Sequence, residues 1–412
     1  MESHVKNPRL RFPEFKDEKG SYKKHHFDDI FLFSTGKNIK QSEASPDFET
    51  PCVRYGELYH LYNEVITEIV NRTNIDKSEL LFSDGDEILL PSAGEDPLDI
   101  GSASALTIKD VAIGRTINIL KPAKTNVYSQ IYASYYINQK LRKTISKLAK
   151  GVSISNVYNS DLRTLEIMLP SLLEQKKVSD FLTSIDQKIQ TLKKKKDLLE
   201  EYKKGVVQKL FSQELRFKDE NGKDFPEWEE KKLGEVTNKV DKKNKNREIL
   251  PVYSINNKNG FIPQSEQFEG VDSNERGYDI SLYKIIENNT FAYNPARINV
   301  GSIGYSGTIG RVIVSSLYVC FKTEQNINDI FFNYYLNTNH FKDSVLSKGE
   351  GGVRIYLFYE NFSEININLP SLPEQTRIAD FLSSIDEKIN HCQTQIEQTE
   401  GWKKGLLQKM FC

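Results

Sequence analysis

Apolar residues recur at steps of three and four along two long stretches of the chain, Leu169–Phe211 and Leu369–Phe411. This spacing predicts a heptad stripe on an α-helix, and a helix of roughly 40 residues spans about 60 Å. Because a stripe of that length is not left in water, we expect the two helices to pack on each other. The predicted inter-helix seam consists of Val178, Leu182, Ile185, Ile189, Leu192, Ile378, Leu382, Ile385, Ile389 and Ile396.

The two helical stretches are copies of one another. LPSLLEQKKVSDFLTSIDQKI returns as LPSLPEQTRIADFLSSIDEKI, and EEYKKGVVQKLF returns as EGWKKGLLQKMF. Such similarity over so long a stretch indicates an internal duplication. Ser171 with Glu174, and Ser371 with Glu374, have the spacing of capping boxes, which predicts where each helix begins.

A glycine stands at the same place inside each predicted helix, as Gly205 and Gly405. Glycine in a helix interior costs about 1 kcal/mol relative to alanine. We therefore expect these positions to allow a close approach of the other helix or of a partner protein.

A shorter repeat precedes each globular region. LRF at Leu10–Phe12 returns at Leu215–Phe217, and YKKHHFDDI at Tyr22–Ile30 aligns with WEEKKLGEV at Trp228–Val236. The segments are rich in charge and turn residues, so we interpret them as connectors. The unit of duplication is thus an entry segment, a globular region and a long helix.

The two globular regions carry a mixed helical and strand-like pattern and share almost no residue identity. The sequence therefore predicts an α+β fold with two mixed α/β domains separated by two long antiparallel helices, related by a pseudo-twofold duplication. The predicted division is residues 1–21 (entry segment), 22–168 (first domain), 169–212 (central helix), 213–227 (connector), 228–368 (second domain) and 369–412 (C-terminal helix). The predicted strands are Glu87–Leu90, Ala105–Ile108, Thr116–Leu120, Val252–Ile255, Thr290–Tyr293, Arg311–Val314 and Tyr318–Phe321, and the predicted domain helices are Ile131–Lys147 and Ile330–Asn339.

Composition narrows the class of protein. The chain has 56 Lys and Arg against 57 Asp and Glu, which excludes a polycation but leaves a local nucleic-acid surface possible. No apolar run approaches the roughly 18 residues of a membrane span, and the N-terminus does not resemble a signal peptide. The four cysteines show no CxxC spacing, so we expect reduced thiols in a cytoplasmic protein.

A search for catalytic chemistry gives no site. No GxxxxGK[ST] phosphate loop occurs. The stretch Tyr293–Ala296 has part of the Asn-Pro-Pro-aromatic motif of adenine methyltransferases but lacks its second proline and aromatic residue. The histidines lack metal-ligand spacing, and we interpret Asp84, Asp86 and Glu87 as a solvated turn. We therefore expect no catalytic residue, cofactor or metal in this chain.

Signals for DNA contact are stronger. Arginine suits guanine, asparagine suits adenine, and backbone near glycine can approach a phosphate closely. Such residues stand beside aromatic and turn-forming positions in several predicted loops, and the basic run Lys239–Arg247 suits phosphate contacts. Each pattern taken singly also fits a solvated loop or an ordinary turn, but we expect at least some of these loops to contact DNA. The candidate DNA-binding residues are Arg54, Tyr55, Lys150, Ser153, Ser155, Tyr253, Asn256, Lys258, Tyr293, Asn294, Arg297, Asn299 and Arg354.

The duplicated motif LPSLxEQxxxxxFLxxIDxxI with KKGxxQKxF, separating two dissimilar domains, resembles the specificity (S) subunit of type I restriction–modification systems. The entry segments and the stretch YNPARINVGSIGYSG also resemble that family. The resemblance implies two target recognition domains that each read one half of a split DNA sequence, held apart by a coiled-coil spacer of two helices. It also implies that the helices dock two methyltransferase subunits carrying S-adenosylmethionine, and that restriction subunits using ATP and Mg²⁺ join the complex.

Two other functions remain open on the sequence. The chain could be a coiled-coil scaffold whose globular ends bind proteins without reading DNA, or an enzyme with an unrecognised site. Sequence-selective binding in a gel shift, with and without a methyltransferase partner, separates recognition from the scaffold. Methylation or cleavage by the purified chain alone would favour the enzyme.

Overall fold

A computed structural model describes residues 8–17, 22–151, 153–267, 270–351 and 355–411. The chain forms two compact units. The first consists of Met1–Lys193 with Thr394–Cys412, and the second of Lys194–Gln393. Each unit therefore contains one globular domain, the beginning of the long helix that follows it, and the end of the other long helix.

The domain of the first unit is built from short strands and short helices. Its strands are β1 Lys23–His26, β2 Phe31–Thr35, β3 Thr50–Val53, β4 Val65–Ile66, β5 Arg72–Thr73, β6 Glu87–Pro91, β7 Ala93–Gly94, β8 Ser104–Leu106, β9 Ala112–Ile113, β10 Ile117–Pro122, β11 Ser155–Asn156 and β12 Glu166–Leu169. Its helices are α1 Phe27–Ile30, α2 Glu57–His60, α3 Pro97–Ile100, α4 Gln130–Tyr136, α5 Arg142–Leu148 and α6 Asn159–Leu162, and a π-helical turn at Ile137–Leu141 joins α4 to α5. The long helix α7 follows as Leu172–Phe211.

The second unit has fewer strands and the second long helix. Its strands are β13 Glu229–Lys232, β14 Thr237–Val240, β15 Val252–Asn256, β16 Gly260–Pro263, β17 Lys284–Ile286, β18 Phe291–Tyr293, β19 Ile303–Tyr305, β20 Val312–Val314, β21 Val319–Thr323 and β22 Asn366–Leu369. Its helices are α8 Leu233–Val236, α9 Gln264–Gln267, α10 Asp329–Tyr335, α11 Asn339–Lys348, α12 Tyr359–Ser363 and α13 Leu372–Met410. No helix among the described residues is long and apolar enough to cross a membrane.

The two units have the same β-ribbon and the same start of the main sheet, but their additional sheets differ. In both, an antiparallel ribbon joins the entry strand to the strand before the long helix, as β1 with β12 and as β13 with β22. The next strand begins the main sheet, in the order β2-β10-β6-β8-β4 in the first unit and β14-β21-β18-β19 in the second. The additional sheets differ, being β5-β3-β9 and β11-β7 in the first unit but β16-β15-β20-β17 in the second.

Each predicted strand overlaps an observed strand, and the predicted helix 131–147 is present as α4, the π-helical turn and α5. The predicted helix Ile330–Asn339 is wrong at its end, because α10 stops at Tyr335 and a separate helix, α11, begins at Asn339. The side chain of Thr338 accepts a hydrogen bond from the backbone N–H of Phe341. Threonine at that position starts a new helix instead of continuing the old one.

The two long helices pack together, as the stripe predicted. In the first unit, Lys193 Nζ lies 2.7 Å from Glu400 Oε1 and Lys403 Nζ lies 2.7 Å from Asp186 Oδ1, so the two helical segments run antiparallel. All ten predicted seam residues are buried except Leu192, which is half-buried.

The seam is not solely a contact between helices. Val178, Leu182 and Ile185 share a hydrophobic core with the domain of the first unit, and Leu406 and Met410 from the end of α13 join the same core. The second unit repeats this arrangement with the beginning of α13 and the end of α7. The apolar stripe therefore fixes each helix to its own domain as well as to the other helix.

The capping-box prediction is wrong for both glutamates and for Ser371, whose buried Oγ has no hydrogen-bond partner among the described residues. Ser171 Oγ does accept from the backbone N–H of Glu174, at 3.4 Å, but the carboxylate of Glu174 turns to Arg11 of the entry segment. Arg11 donates two hydrogen bonds to it, at 2.8 and 2.6 Å, and both side chains are at least 95% buried. Arg216 donates to Glu374 in the same way, at 3.2 and 3.0 Å. The repeated LRF segments are thus anchored to the long helices and are more than connectors.

The repeated glutamines attach each long helix to its domain. Gln175 accepts a hydrogen bond from the backbone N–H of Ser129, at 2.8 Å, and Gln375 accepts one from that of Asn328, also at 2.8 Å. Ser129 and Asn328 are the residues that cap the starts of α4 and α10. The EQ pair of the repeated motif is therefore explained by internal structure.

A repeated lysine joins the two long helices within each unit by an ion pair. In the first unit Lys403 pairs with Asp186 and with Glu64, at 2.7 and 2.9 Å. Burial by itself lowers the pKa of Lys403, but these two carboxylates together raise it above its ordinary value. In the second unit Lys203 pairs with Asp386 at 2.5 Å. The KKG and IDxxI motifs therefore hold the end of one long helix against the beginning of the other.

Gly205 and Gly405 do not mark a close contact between the helices. Apart from its chain neighbours and the nearby backbone of its own helix, a Cβ built on either residue meets no described atom within 4 Å. The expectation of a close helix–helix approach is therefore wrong, and the approach of a partner protein stays a prediction.

Candidate nucleic-acid interface

Two of the predicted loops in the first unit meet at one pocket. Strand β11 pairs with β7, and Ile154 just before β11 lines the same pocket as Tyr55. The pocket has a volume of about 330 Å³. Its lining includes Tyr55, Tyr59, His60, Glu95, Asp99 and Ile154.

Arg54 is held in place by its neighbour. Its Nε donates to Glu57 Oε1 at 2.6 Å, its backbone N–H donates to Glu57 Oε2 at 3.1 Å, and Asn71 also donates to Glu57. The guanidinium therefore supports the turn that presents Tyr55, whose side chain is exposed. Arg54 is half-buried with part of its charge already compensated.

Aromatic rings and carboxylates line the same pocket. The rings of Tyr55 and Tyr59 lie 6.3 Å apart, and those of Tyr59 and His60 lie 4.4 Å apart. Burial, with smaller effects of Tyr55 and the nearby Asp99 and Glu95, raises the pKa of Tyr59 above its ordinary value, so its hydroxyl keeps its proton at neutral pH. Flat rings suit stacking, and carboxylates accept hydrogen bonds from amino groups such as that of cytosine. This pocket is chemically suited to a base and unsuited to a phosphate.

The loop that contains Lys150 is closed by its own backbone. Lys150 and Asn156 exchange two backbone hydrogen bonds, at 2.9 and 2.8 Å. Lys150 Nζ also binds Asp161 at 2.9 Å and lowers the pKa of that carboxyl group. Ser153 is exposed at the tip, but Ser155 is buried in β11, so its side chain is not available to a ligand in this conformation.

The second unit has a loop of the same design. Glu350 and Tyr356 exchange two backbone hydrogen bonds of 2.8 Å, as Lys150 and Asn156 do. Asn361 donates to Glu350, in the place where Asp161 accepts from Lys150. The two loops therefore correspond, as predicted, with different side chains on a common frame. The candidate Arg354 lies outside the described residues.

The hairpin and turn of the second unit lie side by side. A Cβ built on Gly301 would meet Asn257 at 3.7 Å, which places the turn that carries Arg297 and Asn299 beside the tip of the β15–β16 hairpin. Lys258, Arg297 and Asn299 are exposed. Asn256 accepts hydrogen bonds from the backbone N–H groups of two residues in the hairpin tip, at 3.0 and 2.7 Å, so it shapes the turn itself.

Three other candidates of the second unit are half-buried or buried. Asn294 is half-buried and accepts a hydrogen bond from the backbone N–H of Ala296 at 3.1 Å. Tyr253 lies in β15 and is half-buried against a hydrophobic cluster that includes Ile255 and Val314. Tyr293 is fully buried among aromatic rings of the core, including Phe321 and Phe362. Its assignment to DNA contact is therefore wrong for this conformation, because a base cannot reach its ring.

The interpretation of the acidic turn as solvated holds for the exposed Asp84 and is wrong for Glu87, while Asp86 is half-buried. Glu87 is fully buried, and its carboxylate accepts hydrogen bonds from the backbone N–H groups of Asp84, Gly85 and Asp86, at 2.7, 3.0 and 3.1 Å. Lys121 lies 3.1 Å from Glu87 and 2.6 Å from Asp84. Three carboxylates come close enough together to suggest a cation site, but the amides and the lysine already compensate Glu87.

Sequence reasoning missed several residues at these surfaces. Tyr59 and His60 belong to the pocket of the first unit, and Asn257 stands at the hairpin tip of the second. Tyr356 and Phe358 form an exposed stacked pair, with ring centroids 6.2 Å apart. Their proximity to the candidates was the available signal, since each lies within a few residues of a candidate loop.

Comparison with known proteins identifies the architecture. A model of the family "Type I restriction modification DNA specificity domain" matches the chain twice, over residues 20–201 and 226–400. The chain is similar to the type I restriction enzyme MjaVIII specificity subunit of Methanocaldococcus jannaschii, with 26% identity over 374 residues that cover 84% of this chain and 82% of the relative.

Solved structures show the same fold. The S subunit of a type I restriction–modification system from M. genitalium matches with a TM-score of 0.61 and 17% identity, covering 99% of both chains. A chain from a structure concerned with complex assembly and conformational transition of the type I system matches with a TM-score of 0.51 and 14% identity, covering 94% of this chain and 96% of that one.

Proposed function

The chain belongs to the type I restriction modification DNA specificity family, and from that premise we propose that it is the non-catalytic DNA-recognition subunit of a type I restriction–modification complex. In this proposal each unit reads one half of a bipartite double-stranded DNA target. The two long helices set the gap between the half-sites and dock two adenine methyltransferase subunits. The cofactors S-adenosylmethionine, ATP and Mg²⁺ are bound by the methyltransferase and restriction subunits.

One observation supports this proposal above the others. The ties between each domain and the helices are repeated residue by residue, as with Arg11 to Glu174 and Arg216 to Glu374. The exposed loops on the same frame differ, with Tyr55 beside a lined pocket in one unit and Arg297 beside a hairpin tip in the other. A constant frame with two different reading surfaces suits recognition of two different half-sites.

The helices retain surface for partners. The repeated glutamates, glutamines, aspartates and lysines described above are used inside each unit, but Gly205 and Gly405 face open space. A glycine that costs helix stability and has open space beside its Cα suits a surface that another protein approaches closely. We assign this face of each helix to the methyltransferase subunits.

The test is to co-express the chain with its methyltransferase subunit and to map the modified adenines across a genome. We expect one bipartite motif. Exchange of residues 22–168 for the corresponding domain of another family member should change one half of that motif. Unselective methylation would contradict the proposal, and a change in both halves would show that the units do not read independently.

The scaffold alternative is tested in the same preparation. A gel shift with the motif-bearing duplex and a scrambled duplex of equal length measures selectivity. Equal binding of both duplexes, with an intact complex, would favour a protein-interaction role.

A further inference from the structure

The two otherwise dissimilar domains share one basic element, a Lys-Asn pair in an exposed loop. Lys37 and Lys243, and Asn38 and Asn244, stand 206 residues apart, which is the separation between Tyr22 and Trp228 at the start of the repeated segment. The elements β1 and β13, and α1 and α8, have the same separation. A Lys-Asn pair therefore follows the first strand of the main sheet in both units.

In the first unit this pair lies in a loop that we call the first basic loop, residues 36–41. The backbone N–H of Lys37 donates to Ile113 O at 2.9 Å, and that of Arg115 donates to Asn38 O at 2.8 Å. The side chain of Asn38 donates to Glu79 O at 2.7 Å. These bonds hold two successive non-glycine residues, Asn38 and Ile39, in the left-handed region, with φ of 53° and 54°.

The second basic loop, residues 242–247, is fixed by the corresponding asparagine. The backbone N–H of Asn244 donates to Tyr283 O at 2.8 Å, and its side chain exchanges two hydrogen bonds of 2.9 Å with the backbone of Glu248. Arg247 here has a φ of 53°. Left-handed non-glycine residues are costly and persist where the surroundings impose them, often at functional sites.

The cations of both loops are directed to solvent. In the first unit the exposed cations are Lys37 and Lys40 of the loop and Arg115, whose backbone N–H donates to the loop. In the second unit they are Lys243 and Lys245. None of these five has an ion-pair partner within 4.0 Å among the residues that the structure describes. The other two cations of the second loop, Lys242 and Arg247, have exposed acidic partners at 3.7 and 3.6 Å, which are weak contacts.

We propose that the two basic loops grip the DNA phosphate backbone, one loop on each half-site, and orient each domain for base reading. This inference rests on the proposed function. Phosphate contacts carry no sequence information, so two domains that read different bases can keep the same phosphate contact while their reading loops differ. The repeated Lys-Asn pair has that property, and the pocket and hairpin surfaces do not.

The test uses the full chain in complex with its methyltransferase subunit. The variants are Lys37→Ala with Lys40→Ala, and Lys243→Ala with Lys245→Ala. The matched controls are Lys143→Ala with Lys147→Ala on α5, and Lys342→Ala with Lys348→Ala on α11, which remove the same number of exposed charges from the same units. Affinity for the motif-bearing duplex and for a scrambled duplex is measured from 0.1 to 1 M salt.

Each phosphate contact contributes about 0.9 to the slope of log affinity against log salt, so loss of two lowers the slope by about 1.8. Affinity should then fall about 60-fold at 0.1 M salt and little at 1 M. The loss should be equal on both duplexes, because the contact ignores sequence. The methylated motif should stay unchanged, and arginine at the same positions should restore binding.

The outcomes separate the two proposals. If the unaltered complex binds selectively and the loop variants have the same salt slopes as the controls, the proposed phosphate contact is wrong. The proposed recognition function is then unaffected. A loop variant with a changed motif also overturns the phosphate contact, because the loop would then read bases. An unaltered complex that binds both duplexes equally overturns the recognition function itself. Thermal unfolding of each variant identifies any loss of folding, and Lys→Gln variants then replace the alanine variants.

Discussion

The duplicated anchor between the entry segment and the long helix allows one substitution to be compared with its own copy. We consider Glu174→Gln in the first unit and Glu374→Gln in the second. Both replace a fully buried carboxylate by an amide of similar shape. The difference lies in the arginine that each leaves behind.

Arg11 is 95% buried and Glu174 is its carboxylate partner, so Glu174→Gln removes the negative charge of an ion pair that is almost completely shielded from water. Removal of one partner from a buried ion pair costs about 3–5 kcal/mol. Arg216 is 21% exposed, so water screens part of the charge that Glu374→Gln leaves behind. The cost of Glu374→Gln is therefore closer to that of losing a charge-assisted hydrogen bond, about 1.5–3 kcal/mol. We therefore expect the first unit to lose about 2 kcal/mol more stability than the second.

The chain carries its own reporters for this measurement. It has two tryptophans, Trp402 in the first unit and Trp228 in the second. Urea unfolding followed by tryptophan emission in a Trp228→Phe background reports the first unit, and the same experiment in a Trp402→Phe background reports the second. Separate transitions are needed because two units need not unfold as one two-state system. Each background is its own reference, which cancels the loss of the Trp228 hydrogen bond to Glu374.

A second substitution decides whether the buried charge is the cause. Arg11→Met with Glu174→Leu removes both charges and keeps apolar volume, which is often neutral or stabilising. The double variant should therefore recover most of the stability lost by Glu174→Gln. Equal losses in the single and double variants, or equal losses at Glu174 and Glu374, would refute the reasoning.

Three further predictions use the same reporters. Glu64→Gln should lower the stability of the first unit by about 1.5–3 kcal/mol, because it removes a charge-assisted hydrogen bond to the half-buried Lys403. No change in the Trp402 transition would contradict this prediction. Gly205→Ala and Gly405→Ala should each stabilise their unit by up to about 1 kcal/mol. If either variant also fails to assemble with the methyltransferase, as measured by size-exclusion chromatography, the docking face lies at that glycine. Destabilisation of the isolated chain would contradict the open space beside these glycines. Burial lowers the pKa of His25, an effect that Asp29 opposes and Lys23 supports. The unfolded chain therefore binds the proton more readily than the folded chain. The contribution of His25 to the free energy of unfolding is complete above the ordinary histidine pKa of about 6.5 and is lost as the pH falls below it. His25→Gln should weaken this dependence between pH 7.5 and 5.5 in the Trp228→Phe background, and an unaltered pH profile would contradict the assignment.

The sequence determined the duplication, the long helices and most of the strands. The reason is that periodicity and identity are local properties, and the repeated stripe allows no arrangement other than burial along one face. It also predicted that the loops at 150–156 and 349–356 correspond, since both precede the same strand and helix. The resemblance to the specificity subunit rests on these same repeated letters.

The tertiary structure decided what the repeated polar residues do. Glu174 has the spacing of a cap, yet it binds an arginine 163 residues away, because a buried cation requires a carboxylate and a solvated helix end does not. Tyr293 has the neighbours of a base-reading residue, yet its strand lies in the middle of the sheet and the core covers its ring. Long-range pairing and the direction of a side chain across a sheet depend on register, which a motif does not encode. The pairs Lys37-Asn38 and Lys243-Asn244 match in the sequence by continuing the repeated segment, but only the structure shows that both lie in exposed loops after the first strand of the main sheet.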